Sequence, residues 1–145
     1  MATVANILTA KGHVVHGVGP QETVHRAVLR MVEQNVGSLL VVARDGRPLG
    51  IVTERDCLRR IVLEDRRSKE TSVETIMTLP VQTVSLGTSV EHCMRTMTDL
   101  RVRHLAVLDG NALVGVVSIG DIVKMQTLEH RSSIEQMTHY IQGRA

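Results

Sequence analysis

Apolar positions in the first quarter of the chain predict a short strand followed by an amphipathic helix. The strand covers 15–18 and ends at Gly19-Pro20, a dipeptide that favours a turn. From Thr23 onward apolar residues recur with helical spacing, at Val24, Ala27, Val28, Met31 and Val32. This spacing predicts a helix that begins at Thr23 and ends before Gly37.

A hairpin and a second helix are predicted next. Two apolar runs, 38–43 and 48–52, lie on either side of Asp45-Gly46, and such a dipeptide between strands is a strong hairpin signal. A helix is then predicted from Thr53 to about residue 63. The order of elements is therefore β-α-β-β-α.

The same unit occurs a second time. VHGVGPQETV, 15–24, aligns with VQTVSLGTSV, 81–90, at an offset of 66 residues. The second copy is predicted to have a helix from Ser89, strands at 104–108 and 113–117, and a helix from Ser118. Since one such unit buries little apolar surface, we expect the two to pack through their sheets, which gives an α/β (α+β) fold.

The predicted boundaries are residues 1–66 for the first repeat, 67–127 for the second and 128–145 for a C-terminal helical tail. The tail has a thin apolar stripe formed by Leu128, Ile134, Met137 and Ile141. It could lie along the module or pair with a second chain.

Composition narrows the functional classes. The 145 residues include no Phe, no Trp and one Tyr, and the net charge is +2. Nucleic acid is therefore an unlikely partner, because single-strand binders stack bases on aromatic side chains and duplex binders carry strong positive charge. The two cysteines form no CxxC pair and no apolar run is long enough to span a bilayer. These features predict a soluble, cytoplasmic protein without a membrane partner.

A hydroxyl and a carboxylate three positions apart follow each hairpin. GIVTERD, 50–56, carries Thr53 and Asp56, and GVVSIGD, 115–121, carries Ser118 and Asp121. Each pair can act as a capping box at a helix start, which needs no ligand. The same geometry also suits a nucleotide, with phosphate at the helix N-terminus and the ribose hydroxyls on the carboxylate. The residues alone leave both interpretations open.

The duplicated unit, RHLAVLDG before the second hairpin and the paired Gly-x-x-Thr/Ser-x-x-Asp motifs resemble a tandem pair of cystathionine-β-synthase (CBS) domains over roughly residues 3–127. The resemblance is to stand-alone pairs, including a subgroup from bacteria and plant organelles. It implies a regulatory module that binds AMP, ADP, ATP, NAD or S-adenosylmethionine and signals to a regulated protein. It also implies a homodimer joined through helices, with no catalysis and no required cofactor.

The resemblance further implies two composite clefts, each combining the motif of one repeat with the strand openings of the other. The first cleft would contain Thr53, Arg55, Asp56, Met77, Val81, Gln82, Val102, Arg103 and His104. The second would contain Lys11, Val15, His16, Val36, Gly37, Ser38, Ser118 and Asp121. Because Gly37-Ser38 stands where Arg103-His104 stands in the other copy, we expect little positive charge in the second cleft. Phosphate is therefore expected to bind in the first.

No catalytic or metal-binding motif is present. The sequence contains no GxxxxGK[ST], HExxH or GxSxG. His13 and His16 lack a nearby third ligand, so no metal site is predicted. The competing hypothesis is a structural or interaction module in which both hydroxyl–carboxylate pairs serve only as helix caps.

Overall fold

The computed structural model describes residues 1–142 and contains the predicted unit twice. The first copy comprises β1 (Gly17–Val18), α2 (Val24–Gln34), β2 (Ser38–Val42), β3 (Pro48–Thr53) and α3 (Glu54–Cys57), which continues as a π-helical turn (Leu58–Val62). The second comprises β4 (Thr83–Ser85), α5 (Val90–Leu100), β5 (His104–Asp109), β6 (Ala112–Ser118) and α6 (Ile119–Gln142). Two lead-in helices, α1 (Val4–Lys11) and α4 (Val73–Ile76), precede the copies.

Each copy forms a three-stranded sheet, ordered β1-β2-β3 in the first and β4-β5-β6 in the second. The outer short strand is parallel to the central strand and the hairpin partner is antiparallel. Gly17 pairs with Leu40 in the first sheet and Thr83 with Ala106 in the second, which are equivalent positions at the offset of 66. The predicted mixed fold and its duplication are therefore confirmed.

Helices α2 and α5 begin where the sequence predicted, and each ends at a residue in the left-handed conformation. The Thr23 hydroxyl accepts from the backbone N–H of Arg26 at 3.2 Å, which caps the start of α2. Asn35 (φ 55°) and Arg101 (φ 54°) end α2 and α5. Asparagine adopts this conformation more readily than arginine does. Helix α2 thus ends before Gly37, as its apolar spacing predicts.

Two separate apolar cores lie on the helix sides of the sheets, and the lead-in helices exchange between them. Val73 and Ile76 of α4 pack in the core of the first copy, with Val18, Leu39 and Val52 among others. Ile7 and Leu8 of α1 pack in the core of the second copy, with Val107, Val117 and Ile122 among others. The boundaries at residues 66 and 127 stay a prediction. Each core contains a helix from the other side of the boundary at residue 66, since α1 packs in the second core and α4 in the first.

The opposite faces of the sheets meet between the copies. Leu40 and Ala106 stand at equivalent places on the two central strands and are almost fully buried, yet neither belongs to a helix-side core. Because strand residues alternate between the two sides of a sheet, Leu40 and Ala106 point away from their own helices. The clefts lie at this interface.

The predicted tail continues the last helix without a break. Helix α6 has 24 residues, about 36 Å at 1.5 Å per residue. Residues 129–142 are exposed, and the backbone N–H of Ala2 donates to Glu129 Oε1 at 2.7 Å. Residues 143–145 of the predicted tail lie outside the described part of the chain.

Candidate functional site

Both hydroxyl–carboxylate pairs form capping boxes. The Thr53 N–H donates to Asp56 Oδ2 at 2.9 Å, and the Asp56 N–H donates to Thr53 Oγ1 at 3.1 Å. The Ser118 N–H donates to Asp121 Oδ2 at 2.8 Å, and the Asp121 N–H donates to Ser118 Oγ at 3.2 Å. The capping interpretation is therefore confirmed. It does not compete fully with ligand binding, because each hydroxyl accepts in its box and keeps its own hydrogen to donate.

The two helix starts are tied to the strand openings of their own copies. The Glu54 N–H donates to the Gly37 carbonyl at 3.0 Å, and the Ile119 N–H donates to the Arg103 carbonyl at 2.9 Å. Each bond satisfies an amide that would otherwise lack a partner at the helix N-terminus. The hydroxyl, the carboxylate and the strand opening are thereby held in fixed positions at the edge of the interface.

The second cleft is a cavity of about 260 Å³ between the two copies. Six residues predicted from sequence line it: Lys11, His16, Val36, Gly37, Ser38 and Ser118. The structure therefore brings the Ser118 side of the second copy against the strand opening of the first, as the composite arrangement requires. Val15 lines a different cavity, of about 500 Å³, beside both hairpin turns.

Several residues that line this cavity were not predicted for the second cleft. They are Val14, Leu40, Ile51, His104 and Val116. Strand alternation could have identified Leu40, because its neighbours Leu39 and Val41 face the helix-side core. The apolar side chains among them give the cavity an aliphatic surface.

Lys11 supplies a positive charge at the second cleft and is paired with a carboxylate. Its Nζ lies 2.8 Å from Asp121 Oδ2 and 2.9 Å from the Val116 carbonyl oxygen. The expectation of little positive charge in this cleft stays a prediction, because the carboxylate balances the charge of the lysine. Burial alone would raise the pKa of Asp121, but hydrogen bonds from Lys11 and Ser118 outweigh it and lower the pKa.

His104 lies at the contact between the two copies. It was predicted for the first cleft, but it lines the second and its Nε2 lies 3.2 Å from Ser38 Oγ. His104 and Ser38 are equivalent residues of the two copies, so this contact marks the pseudo-twofold axis between them. Burial, together with the positive charges of Lys11 and Arg103, lowers the pKa of His104, and Asp121 offsets part of that effect. The lowered pKa favours the neutral form of the ring.

The first cleft is arranged differently. The Thr78 hydroxyl, which sequence reasoning missed, donates to Asp56 Oδ1 at 3.1 Å. Met77 lies against Gly50, where an added Cβ would be 3.1 Å from its sulfur. The Gln82 carbonyl accepts from the Ala106 N–H at 2.9 Å, next to half-buried Val81.

The two arginines expected to grip phosphate, Arg55 and Arg103, are exposed. Val102 is half-buried against the second core. Met77 and Val102 pack against the helix-side cores, so the grouping of the nine residues in one cleft stays a prediction. The contact that the structure adds to Asp56 comes from Thr78.

Known proteins share this fold. A model of the CBS domain matches residues 12–63 and 73–127. The chain belongs to the CBS domain family. It is 39% identical to the mitochondrial CBS domain-containing protein CBSX3 of Arabidopsis thaliana, over 97% of this chain and 72% of that protein.

Solved structures of CBS proteins superpose well on it. A CBS-domain containing protein from Agrobacterium tumefaciens is 35% identical with a TM-score of 0.80, covering 87% of this chain and 95% of that one. A CBS domain protein from Pyrobaculum aerophilum, solved in complex with AMP, is 25% identical with a TM-score of 0.73, covering 83% and 89%. The CBS pair predicted from the repeated motifs is confirmed.

Within residues 1–142, no helix has the length and apolar character needed to cross a membrane. The same residues contain no group of three or more His, Cys, Asp or Glu side chains placed to hold a metal ion.

Proposed function

We propose that this CBS pair binds an adenine nucleotide between its two sheets and passes the bound state to a regulated protein, without catalysis. The observation that carries the proposal is the second cleft. A capped helix start, a lysine and aliphatic strand residues from both copies line one cavity, and the lysine contacts the Asp121 carboxylate, which lines the adjoining cavity of about 80 Å³. The helix start and the lysine suit a phosphate, the carboxylate suits the ribose hydroxyls, and the aliphatic strand residues suit the base. The complex of the Pyrobaculum relative with AMP supports the same class of ligand.

The size of the cavity favours a mononucleotide. Its volume of about 260 Å³ is near the lower end of the roughly 300–1,000 Å³ found for small-molecule sites. AMP is therefore a better candidate than NAD, which would have to extend beyond the cleft. Signalling would follow from unequal affinity for two relative arrangements of the copies, because a ligand that contacts both can shift only such an equilibrium.

A thermal-shift screen with AMP, ADP, ATP, NAD and S-adenosylmethionine tests the proposal. At a ligand concentration about 100 times Kd, binding adds roughly 2.7 kcal/mol to the free energy of unfolding, which raises Tm by several degrees. Asp121→Asn should reduce the shift given by AMP. Asp45→Asn removes a carboxylate from the exposed hairpin turn and should not.

A specific observation favours the competing function, a structural or interaction module. Both motif carboxylates already have protein partners, with Lys11 on Asp121 and Thr78 on Asp56. If no nucleotide raises Tm in a folded protein, these contacts are the final role of the motif and the structural interpretation replaces ours.

We further propose that two copies of the chain associate through their helices. Leu58, in the π-helical turn after α3, and Val123, in α6, occupy equivalent positions in the two copies and are 59% and 51% exposed. A second copy is the partner that would cover both apolar faces at once, by an isologous contact. Light scattering should show a dimer that Leu58→Glu and Val123→Glu convert to monomer. Val14→Glu, on the cleft side of the molecule, should leave the mass unchanged.

A further inference from the structure

We propose that Lys11 makes the second cleft selective for phosphorylated over neutral adenosine ligands. Lys11 pairs with Asp121 in the free protein, and an anionic ligand group replaces Asp121 as the partner of the lysine. The proposal rests on the proposed function and adds to it the residue that reads the phosphate. Its basis is the contact between Lys11 and Asp121, which nothing in the repeated motif required.

Lys11 is positioned by packing. It is the last residue of α1, and the preceding turn buries Ile7 and Leu8 in the second core. Its ammonium has two partners, Asp121 Oδ2 at 2.8 Å and the Val116 carbonyl at 2.9 Å. The side chains of Lys11 and Asp121 are 37% and 21% exposed, so the pair is only partly shielded from water and can be exchanged for another.

The lysine also stands between two cavities. On one side is the 260 Å³ cleft, and on the other is a smaller cavity of about 80 Å³ that Asp121 and Lys124 also line. A ligand entering the cleft therefore meets the ammonium beside the carboxylate. A donor that approaches Asp121 Oδ2 competes with Lys11, which already donates to that oxygen.

Competition at that oxygen has an unequal result for different ligands. Asp121 Oδ2 already accepts from the Ser118 N–H and from Lys11. A ribose hydroxyl that donates to Oδ2 must displace the ammonium, and a neutral nucleoside gives the displaced cation no new partner. Separating one member of a partly buried ion pair is costly. A phosphate removes this cost, since it accepts charge-assisted hydrogen bonds from Lys11.

The first cleft provides an internal contrast. There Asp56 Oδ1 accepts from the Thr78 hydroxyl, a neutral group. A hydroxyl can rotate to a new partner without leaving a charge unpaired. Selectivity for phosphate by this route is therefore specific to the cleft that holds Lys11.

His104 gives a readout that does not depend on affinity. Its ring lines the same cleft, and the charges that act on it are those of Lys11, Arg103 and Asp121. Lys11 lowers the pKa of His104, while Asp121 raises it. Replacing Lys11 by a neutral residue should therefore raise the pKa of His104, and this can be followed by NMR of the ring proton. AMP should shift the same resonance if it enters this cleft.

The experiment is calorimetric titration of AMP and of adenosine into the wild-type protein and the variants Lys11→Met and Lys11→Arg. The wild type should prefer AMP, and Lys11→Met should reduce the ratio of AMP to adenosine affinity by about 10- to 100-fold, the range of a charge-assisted hydrogen bond. Lys11→Arg should retain most of the preference. Lys124→Met makes the same change in charge on the neighbouring wall and should leave the ratio unchanged.

The outcomes separate the two proposals. If the wild type binds AMP but Lys11→Met keeps its preference, or Lys124→Met loses it equally, the role of Lys11 is overturned and nucleotide binding stands. If AMP binding leaves the His104 resonance unmoved, the ligand is elsewhere and this proposal fails. If neither AMP nor adenosine binds the folded wild type, the proposed function fails and takes the inference with it.

Discussion

Removing the Leu8 side chain should weaken the second copy of the unit, although Leu8 precedes the first copy in the chain. Leu8 is 1% exposed and lies on α1 in the core formed with α5, β5 and β6. The substitution Leu8→Ala deletes three buried carbon atoms. Transfer of these groups accounts for about 2.4 kcal/mol at ~0.8 kcal/mol each, and the cavity that remains brings the expected loss to about 3 kcal/mol.

The neighbouring glycine sharpens the prediction. A Cβ built at Gly115 would lie 2.8 and 2.9 Å from the two terminal carbons of Leu8, well inside contact distance. Gly115→Ala alone should therefore cost about 1–3 kcal/mol by overpacking. In the Leu8→Ala background the obstructing carbons are absent, so the alanine should be tolerated and should fill part of the cavity. The double-mutant cycle should give a coupling energy of at least ~1 kcal/mol.

Urea unfolding measures the free energies, and hydrogen exchange read by mass spectrometry locates the effect. Leu8→Ala should increase exchange in β5 and β6. The matched change Ile76→Ala, at a residue 2% exposed in the other core, should increase it in β2 and β3. Additive free energies, or loss of protection in β2 and β3 on changing Leu8, would refute the exchange of lead-in helices and the close approach at Gly115.

Three further predictions concern the interface and the helix starts. Gly50→Ala would bring a Cβ within 2.7 Å of the Thr78 carbonyl oxygen and should lower the free energy of unfolding in urea by about 1–3 kcal/mol. Gly87→Ala, with open space around it, should change that free energy by no more than about 0.5 kcal/mol. Equal losses of stability in the two variants would contradict the close packing of Gly50 against Thr78. Burial and nearby cations lower the pKa of His104 from its usual 6.5, so the unfolded chain takes up its proton first and stability falls as pH drops below about 6.5. His104→Gln should make this fall smaller between pH 7.5 and 5.5, and an unchanged fall would exclude His104 as its source. Ser89→Ala removes the hydroxyl that accepts from the His92 N–H at 3.0 Å and should cost about 1 kcal/mol by denaturation; no change would mean that water replaces the cap.

Much of the architecture was predictable because it depends on local chemistry repeated twice. Helical spacing after Thr23, the Asp45-Gly46 turn and the paired motifs each act over a few residues, so they have the same meaning in the sequence as in the fold. The offset of 66, which becomes 65 after the hairpins, then related the second copy to the first, including the position of the capping boxes at Thr53 and Ser118. Six of the eleven residues that line the second cleft were predicted, because the family resemblance implied a composite cleft that this correspondence located in the chain.

What the sequence could not provide are contacts between residues far apart in the chain. Lys11 meets Asp121 across 110 positions, and Ser38 meets His104 across 66. Neither contact has a local signal, because distance in space depends on how the sheets face each other and on which core receives each lead-in helix. The divergence of the copies adds to this, since α1 has eight residues and α4 has four.

The sequence by itself determined the elements, their duplication and the helix caps, because hydrogen bonds and side-chain periodicity within each unit specify them. Only the tertiary structure decided which donor meets each motif carboxylate. Packing α1 into the second core carries Lys11 to Asp121, while the approach of α4 and the chain after it to β3 places Thr78 on Asp56. Two motifs that are nearly identical in sequence thus end with different partners, since each carboxylate takes whichever donor long-range packing brings within reach.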